Sequence, residues 1–116
     1  MPAVDLVNTV YTQNTEVANS GTSFTPSGLA GSTFVYTVTG AATINAPGGL
    51  VQGRVYTFII IQNATGGFAV TWNAAYAFAT AWSNTGNTAS KVSVVQMVAR
   101  SATTMRQAGA QMPYAT

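Results

Sequence analysis

The side chains that could perform chemistry in this chain are few and far apart. The 116-residue sequence has no histidine and no cysteine, and its only acidic side chains are Asp5 and Glu16. The commonest general base, the usual zinc ligands and thiolate nucleophiles are therefore missing. A serine–lysine dyad would have to use Lys91, the only lysine, and no motif surrounds it. The sequence predicts no enzyme activity, no catalytic residue, no metal site and no cofactor.

The basic side chains are equally sparse. Arg54, Lys91, Arg100 and Arg106 give a net charge of +2, and charged residues make up 5% of the chain, against roughly 25% in an average soluble domain. A DNA site requires the neutralisation of roughly six to ten phosphates, so we expect no nucleic-acid partner. No apolar run approaches the ~20 residues of a membrane span, so we expect no membrane partner either. Since charge usually keeps a monomer soluble, this composition favours a surface covered by partner subunits.

Aromatic residues are the remaining candidates for ligand contact. Tyr56, Tyr76, Trp82 and Tyr114 could each provide a flat platform on which a sugar ring stacks. For the first three, burial in the core is the interpretation that the sequence favours.

The elements that would position these residues are strands. Thr33–Thr39 alternates so that Phe34, Tyr36 and Val38 share one face, and the middle of segment 54–62 is apolar on both faces. Segment 74–82 alternates alanine with aromatics at period two, which indicates an extended segment whose aromatics close the edge of the core. Gly, Pro and Asn turns separate these segments, and no helical period is visible. The pattern predicts an all-β fold: an antiparallel β-sandwich or jelly-roll-like domain of about seven to eight short strands.

The chain divides into three predicted parts. Residues 1–30 are expected to form an extended N-terminal arm and loops, residues 31–110 the β-sandwich domain, and residues 111–116 a C-terminal tail. The arm contains both acidic residues. It is interpreted either as a frayed terminus or as a segment that orders by adding to the sheet or surface of a neighbouring subunit.

Residues 53–72 read G-R-V-Y-T-F-I-I-I-Q-N-A-T-G-G-F-A-V-T-W. This stretch resembles a hairpin in a β-domain of bacteriophage virion proteins, with the turn at residues 63–67, and the resemblance extends over residues 31–109. Three places depart from the family pattern, namely Asn63, Ser93 and the segment 100–105. The resemblance implies a domain of tail fibres and of small capsid decoration proteins, which commonly assemble as trimers.

Two functions follow from the resemblance. We expect a capsid decoration, or cement, protein that binds the outer capsid surface and stabilises it, because a single small domain with an arm is typical of such proteins. The alternative is a receptor-binding module of a tail fibre or head fibre. The expected partners are the major capsid protein or another virion protein, and further copies of the chain in a homotrimer. The expected location is the outer capsid surface of the virion, after synthesis in the cytoplasm of the host bacterium.

Overall fold

A computed structural model describes residues 16–115. Within that range the secondary structure consists of strands and irregular segments, without a helix. The all-β class and the number of strands predicted from the sequence are confirmed. In chain order the strands are β1 (Glu16–Phe24), β2 (Thr33–Ile44), β3 (Val55–Gln62), β4 (Val70–Trp72), β5 (Tyr76–Ala77), β6 (Val92–Ala99), β7 (Met105–Gln107) and β8 (Met112–Ala115).

The eight strands form one sheet in which the strand directions are mixed. Strands β1, β2 and β3 lie side by side and run parallel. Strand β6 runs antiparallel to β3 on one side and to β7 and β8 on the other. The expectation of a purely antiparallel domain is corrected for β1, β2 and β3 and for the pairs β2–β4 and β5–β7, which are also parallel. Segments 25–32 and 45–54 carry the chain back, so that β2 and β3 each start at the same end as the strand before.

The two return segments also contact each other. The Gly28 amide donates to the carbonyl oxygen of Gly48 at 2.9 Å, and the Gly48 amide donates to the carbonyl oxygen of Pro26 at 3.1 Å. A Cβ atom at position 28 would overlap the carbonyl group of Gly49. Residue 28 must therefore be glycine, because the two backbones approach too closely for any side chain.

The hairpin predicted for residues 53–72 is wrong. Strands β3 and β4 both pair with β2 in the parallel direction, so the chain leaves the sheet after Gln62 and returns in the same direction at Val70. The fully buried side-chain amide of Gln62 holds the two ends of this loop together. Its Oε1 accepts from the backbone N–H of Phe68 at 3.0 Å, and its Nε2 donates to the Phe68 carbonyl at 2.9 Å. A side-chain amide here replaces the backbone partner that an antiparallel hairpin would have provided.

Two sheet strands lie in regions that the sequence assigned to the arm and the tail. Strand β1 pairs with β2 from Glu16 onward, and β8 pairs with β6 through residues 112–115. Only Phe24 is buried in β1, so this edge strand has little apolar alternation and its sequence resembles that of a loop. The rest of the predicted arm, residues 1–15, lies outside the described residues.

A single core lies against the inward faces of the strands. In β2 the inward residues are Phe34, Tyr36 and Val38, as the alternation predicts. In β3 the expected burial of both faces is corrected: Phe58 and Ile60 are buried, whereas the intervening side chains are partly exposed. Aromatic rings stack along this face, with 4.2 Å between the ring centroids of Phe24 and Tyr36. Full burial of each large apolar side chain contributes about 1.5–3 kcal/mol, so the aromatic face supplies much of the stability of the sheet.

A candidate binding groove at the edge of the sheet

Segment 73–85 forms one wall of the candidate site. Within it, β5 pairs in parallel with β7, which brings Tyr76 opposite Met105. Tyr76 is buried and Phe78 is half-buried, whereas the alanine on either side of Phe78 is exposed. The predicted extended segment with inward aromatics is therefore confirmed. Because the aromatic side chains point inward, the outer surface of this wall consists of small or polar side chains, mostly alanine and threonine.

An aromatic cluster fixes this wall to the core. Trp72 contacts three rings of this segment in edge-on or tilted geometry, with centroid distances of 5.1 Å to Tyr76, 5.2 Å to Phe78 and 5.2 Å to Trp82. Trp82 in turn meets the edge of Tyr114 at 6.1 Å. Aromatic pairs of this kind contribute about 0.5–1.5 kcal/mol each beyond the area they bury. The cluster gives segment 73–85 a rigid inner side even though most of that segment lies outside regular strands.

Two glutamines connect this wall to the opposite one. Gln107 Oε1 accepts from the amides of Ala79 at 2.9 Å and Thr80 at 3.0 Å. Gln111 makes a two-point contact with the backbone of Ser83, accepting from its amide at 2.8 Å and donating to its carbonyl at 2.9 Å. These side chains replace the strand partner that segment 79–83 lacks, so neutral amides hold the two walls in register without ion pairs.

Open depressions lie between segment 74–85 and segment 100–113. One of about 390 Å³ lies between residues 74–77 and residues 100–106. Two more, of about 300 and 340 Å³, follow along the same two segments and share Thr80 and Ala110. We call the surface formed by these three depressions the edge groove. Its dimensions fall in the range of small-molecule sites, and it is shallow and open to solvent.

The four aromatic residues considered as stacking platforms do not line the edge groove. Tyr56, Tyr76 and Tyr114 are buried, and Trp82 is half-buried among the aromatic cluster. The hydroxyls of Tyr56, Tyr76 and Tyr114 each have an internal partner. That of Tyr76 donates to the Asn45 carbonyl at 2.7 Å, and that of Tyr56 accepts from a backbone amide. These aromatics are structural, and the buried alternative is confirmed for Tyr56 and Tyr76.

Burial also controls the ionisation of the tyrosines. Loss of hydration raises the pKa of Tyr36 and of Tyr76 well above the usual value, and in Tyr76 the nearby Tyr36 raises it further. The pKa of Tyr114 is raised by burial, an effect that the hydrogen bond from Gln62 partly opposes. These hydroxyls remain protonated at physiological pH, so they act in the core as neutral groups.

The groove-lining residues were not identified from the sequence. They are mostly Ala, Thr, Ser and Gln, residue types without a motif, and they become neighbours because β5 pairs with β7 and because Gln107 and Gln111 bind the backbone of segment 79–83. Among residues 16–115, no three potential metal-ligating side chains come together. The same part of the chain contains no helix long and apolar enough to cross a membrane.

One comparison with known proteins identifies a family. The family model described as "Putative phage tail fibre C-terminal domain" matches residues 24–104, which extend from the end of β1 to the residue before β7. No curated protein and no solved structure matches the chain.

Proposed function

Because the chain belongs to the phage tail fibre C-terminal domain family, we propose that it is a tail-fibre module whose edge groove contacts the bacterial surface. Family membership makes the protein a structural component of a phage virion. The family match over residues 24–104 is the observation that carries the tail-fibre proposal. It favours the receptor-binding alternative over the capsid decoration role that we expected from the sequence.

The edge groove suits weak, repeated contact with polysaccharide. Its walls are fixed by Gln107 and Gln111, so little conformational entropy is lost when a ligand binds. Its surface presents backbone groups, hydroxyls and small apolar side chains, which match the mixed polarity of sugars. Each single contact would be weak in so open a site, and several copies on one fibre would multiply the binding strength. We propose this binding role rather than a catalytic one.

Self-assembly into a homotrimer is part of the same proposal. Within the described residues, the outer side of β1 has no strand partner, and unpaired strand edges are ready sites for pairing between chains. Sedimentation of the purified chain at micromolar concentration should give the trimer mass. A species that remains monomeric would refute this part.

The location in the virion can be tested directly. Gold-labelled antibodies against the chain should mark fibre tips on virions that carry it. Labelling over the capsid shell would refute the tail-fibre assignment and would instead support the capsid decoration role, with the major capsid protein as partner. That role would further require that the purified chain bind capsids lacking it and raise their disruption temperature.

The role of the groove can be tested with matched variants. Ala81 lines the groove and is exposed, so Ala81→Arg should block ligand access. Ala30 is also exposed but lies on the return segment between β1 and β2, so Ala30→Arg adds the same side chain elsewhere. Wild type and Ala30→Arg should both compete with phage for adsorption to the host bacterium, and Ala81→Arg should not. Equal competition by all three would refute the role of the groove.

A further inference from the structure

Two of the four basic residues of the chain line one depression of the edge groove. Arg100 follows β6 and Arg106 lies in β7, and both border the depression of about 390 Å³ together with Thr104. A tight turn joins the two strands, closed by a hydrogen bond of 2.9 Å from the Arg100 amide to the Thr104 carbonyl. Because Ala99 and Met105 face the core, strand alternation places Arg100, Thr104 and Arg106 together on the outer face.

No carboxylate balances these two guanidinium groups within the described residues. The only acidic side chain in that range is Glu16, on β1, which is separated from β7 by β2, β3 and β6 in the strand order. Four strand spacings correspond to about 19 Å, more than twice the screening length of about 8 Å at physiological salt. Within residues 16–115, the depression is therefore a positively charged site among few other charges.

The other lining residues indicate what kind of anion would fit. Ala74, Ala75 and Ala77 form the opposite side; their side chains are small and apolar, so the flat face of a sugar ring can lie against them. The planar guanidinium of arginine matches a carboxylate or phosphate group in two-point geometry. The Thr104 hydroxyl can donate to, or accept from, a neighbouring sugar hydroxyl.

We propose that the depression between Arg100 and Arg106 binds an anionic saccharide through its carboxylate or phosphate group, with the sugar ring against the three alanines. The inference rests on the proposed function only for the source of this saccharide, which would be the bacterial surface. Binding itself is a property of the isolated chain.

The test is an NMR titration of the purified chain, observing the Nε–H signals of Arg100 and Arg106. Glucuronate and glucose 6-phosphate should shift both signals in a saturable manner, and glucose should not. Binding of glucose with equal affinity would refute the need for an anion. Inorganic phosphate should bind more weakly than glucose 6-phosphate; equal binding would refute recognition of the sugar.

Matched variants locate the site. Arg100→Gln and Arg106→Gln should each weaken glucuronate binding about tenfold or more, because each removes a charge-assisted hydrogen bond. Lys91→Gln makes the same change of charge at the start of the β6 segment and should leave the affinity within about twofold. Arg106→Lys keeps the charge but loses the planar fork, and should weaken binding by an intermediate amount. Equal losses in all four variants would refute a localised site.

The titration uses no bacterium and no virion. If neither anionic sugar binds, this inference fails, and the tail-fibre role is still decided by the labelling and adsorption experiments. If the anionic sugars bind but the labels mark the capsid, the anion site stands and the proposed function fails.

Discussion

The loop between β3 and β4 should depend on the buried side-chain amide of Gln62. In Gln62→Leu, the Phe68 amide loses its acceptor, and Tyr114 loses its hydrogen bond from Gln62 at 3.3 Å. The Phe68 carbonyl keeps a second donor, Asn87 Nδ2 at 2.9 Å. Leaving the Phe68 backbone N–H without an acceptor costs about 1–3 kcal/mol of stability, and each further lost hydrogen bond costs about 0.5–1.5 kcal/mol. The apolar contacts of the new leucine side chain stabilise the protein by about 1 kcal/mol. We therefore expect the free energy of unfolding to decrease by about 2–3 kcal/mol and the Tm to decrease by about 10 °C.

The charged variant Gln62→Glu tests the same contact through pH. A protonated acid can still accept from the Phe68 amide and donate to the Phe68 carbonyl, whereas a carboxylate would face that carbonyl oxygen without a donor and in a buried position. The folded-state pKa of the introduced carboxyl group should therefore rise above its unfolded value of about 4.3. Relative to wild type, the variant should be most stable below about pH 4, lose stability as the pH rises, and level off above the folded-state pKa.

Urea unfolding at fixed protein concentration measures both effects. Gln96 supplies the control, since its amide is exposed and makes one weak contact, at 3.4 Å, with Thr57. Gln96→Leu and Gln96→Glu should change the free energy of unfolding by less than about 0.5 kcal/mol. Equal stability losses in Gln62→Leu and Gln96→Leu, or a stability of Gln62→Glu relative to wild type that does not vary with pH, would contradict the role of the Gln62 amide.

Two further predictions concern a turn and the tyrosines. Gly66→Ala should unfold the loop between β3 and β4, because the added Cβ would overlap the backbone nitrogen of Ala89. Gly67→Ala has open space around it and should destabilise the protein only by the ~1–2 kcal/mol that a positive φ costs a residue with a side chain. Similar thermal stabilities of the two variants would contradict this prediction. Burial raises the pKa of Tyr36 and Tyr76 in the folded protein. The free energy of unfolding should therefore be constant up to about pH 10, the pKa of tyrosine in the unfolded chain, and should decrease at higher pH. In an alkaline absorbance titration both should ionise only as the protein unfolds, and ionisation in the native state near pH 10 would disprove their burial.

The inner faces of the strands were predictable because side-chain alternation is a local property. Phe34, Tyr36 and Val38 are buried, and the aromatics of segment 74–82 point inward, as period two requires. Strand β1 was not predictable in this way. It lies at the edge of the sheet with mostly exposed side chains, so its sequence has little apolar alternation and resembles a loop. Its position depends on backbone hydrogen bonds to β2, which leave no trace in the side chains.

The direction of β4 relative to β3 was the main feature that the sequence predicted wrongly. Gly66 and Gly67 have the positive φ of a tight turn, and such a pair between two strands usually indicates a hairpin. The local turn is present, but the chain continues in its original direction because β2 offers partners to both β3 and β4. Whether a turn reverses the chain depends on which distant strand accepts the next segment.

The sequence by itself determined the all-β class, the near absence of charge and the membership of a phage virion family, because composition, alternation and motif are local or additive properties. The tertiary structure alone decided the parallel order of β1, β2 and β3, the two walls of the edge groove and the placement of Arg100 and Arg106 at one depression. Each of these depends on hydrogen bonds between residues distant in the chain, or on a turn that brings two outward side chains to one face. Pairing energies of that kind belong to two segments at once, so neither segment encodes them alone.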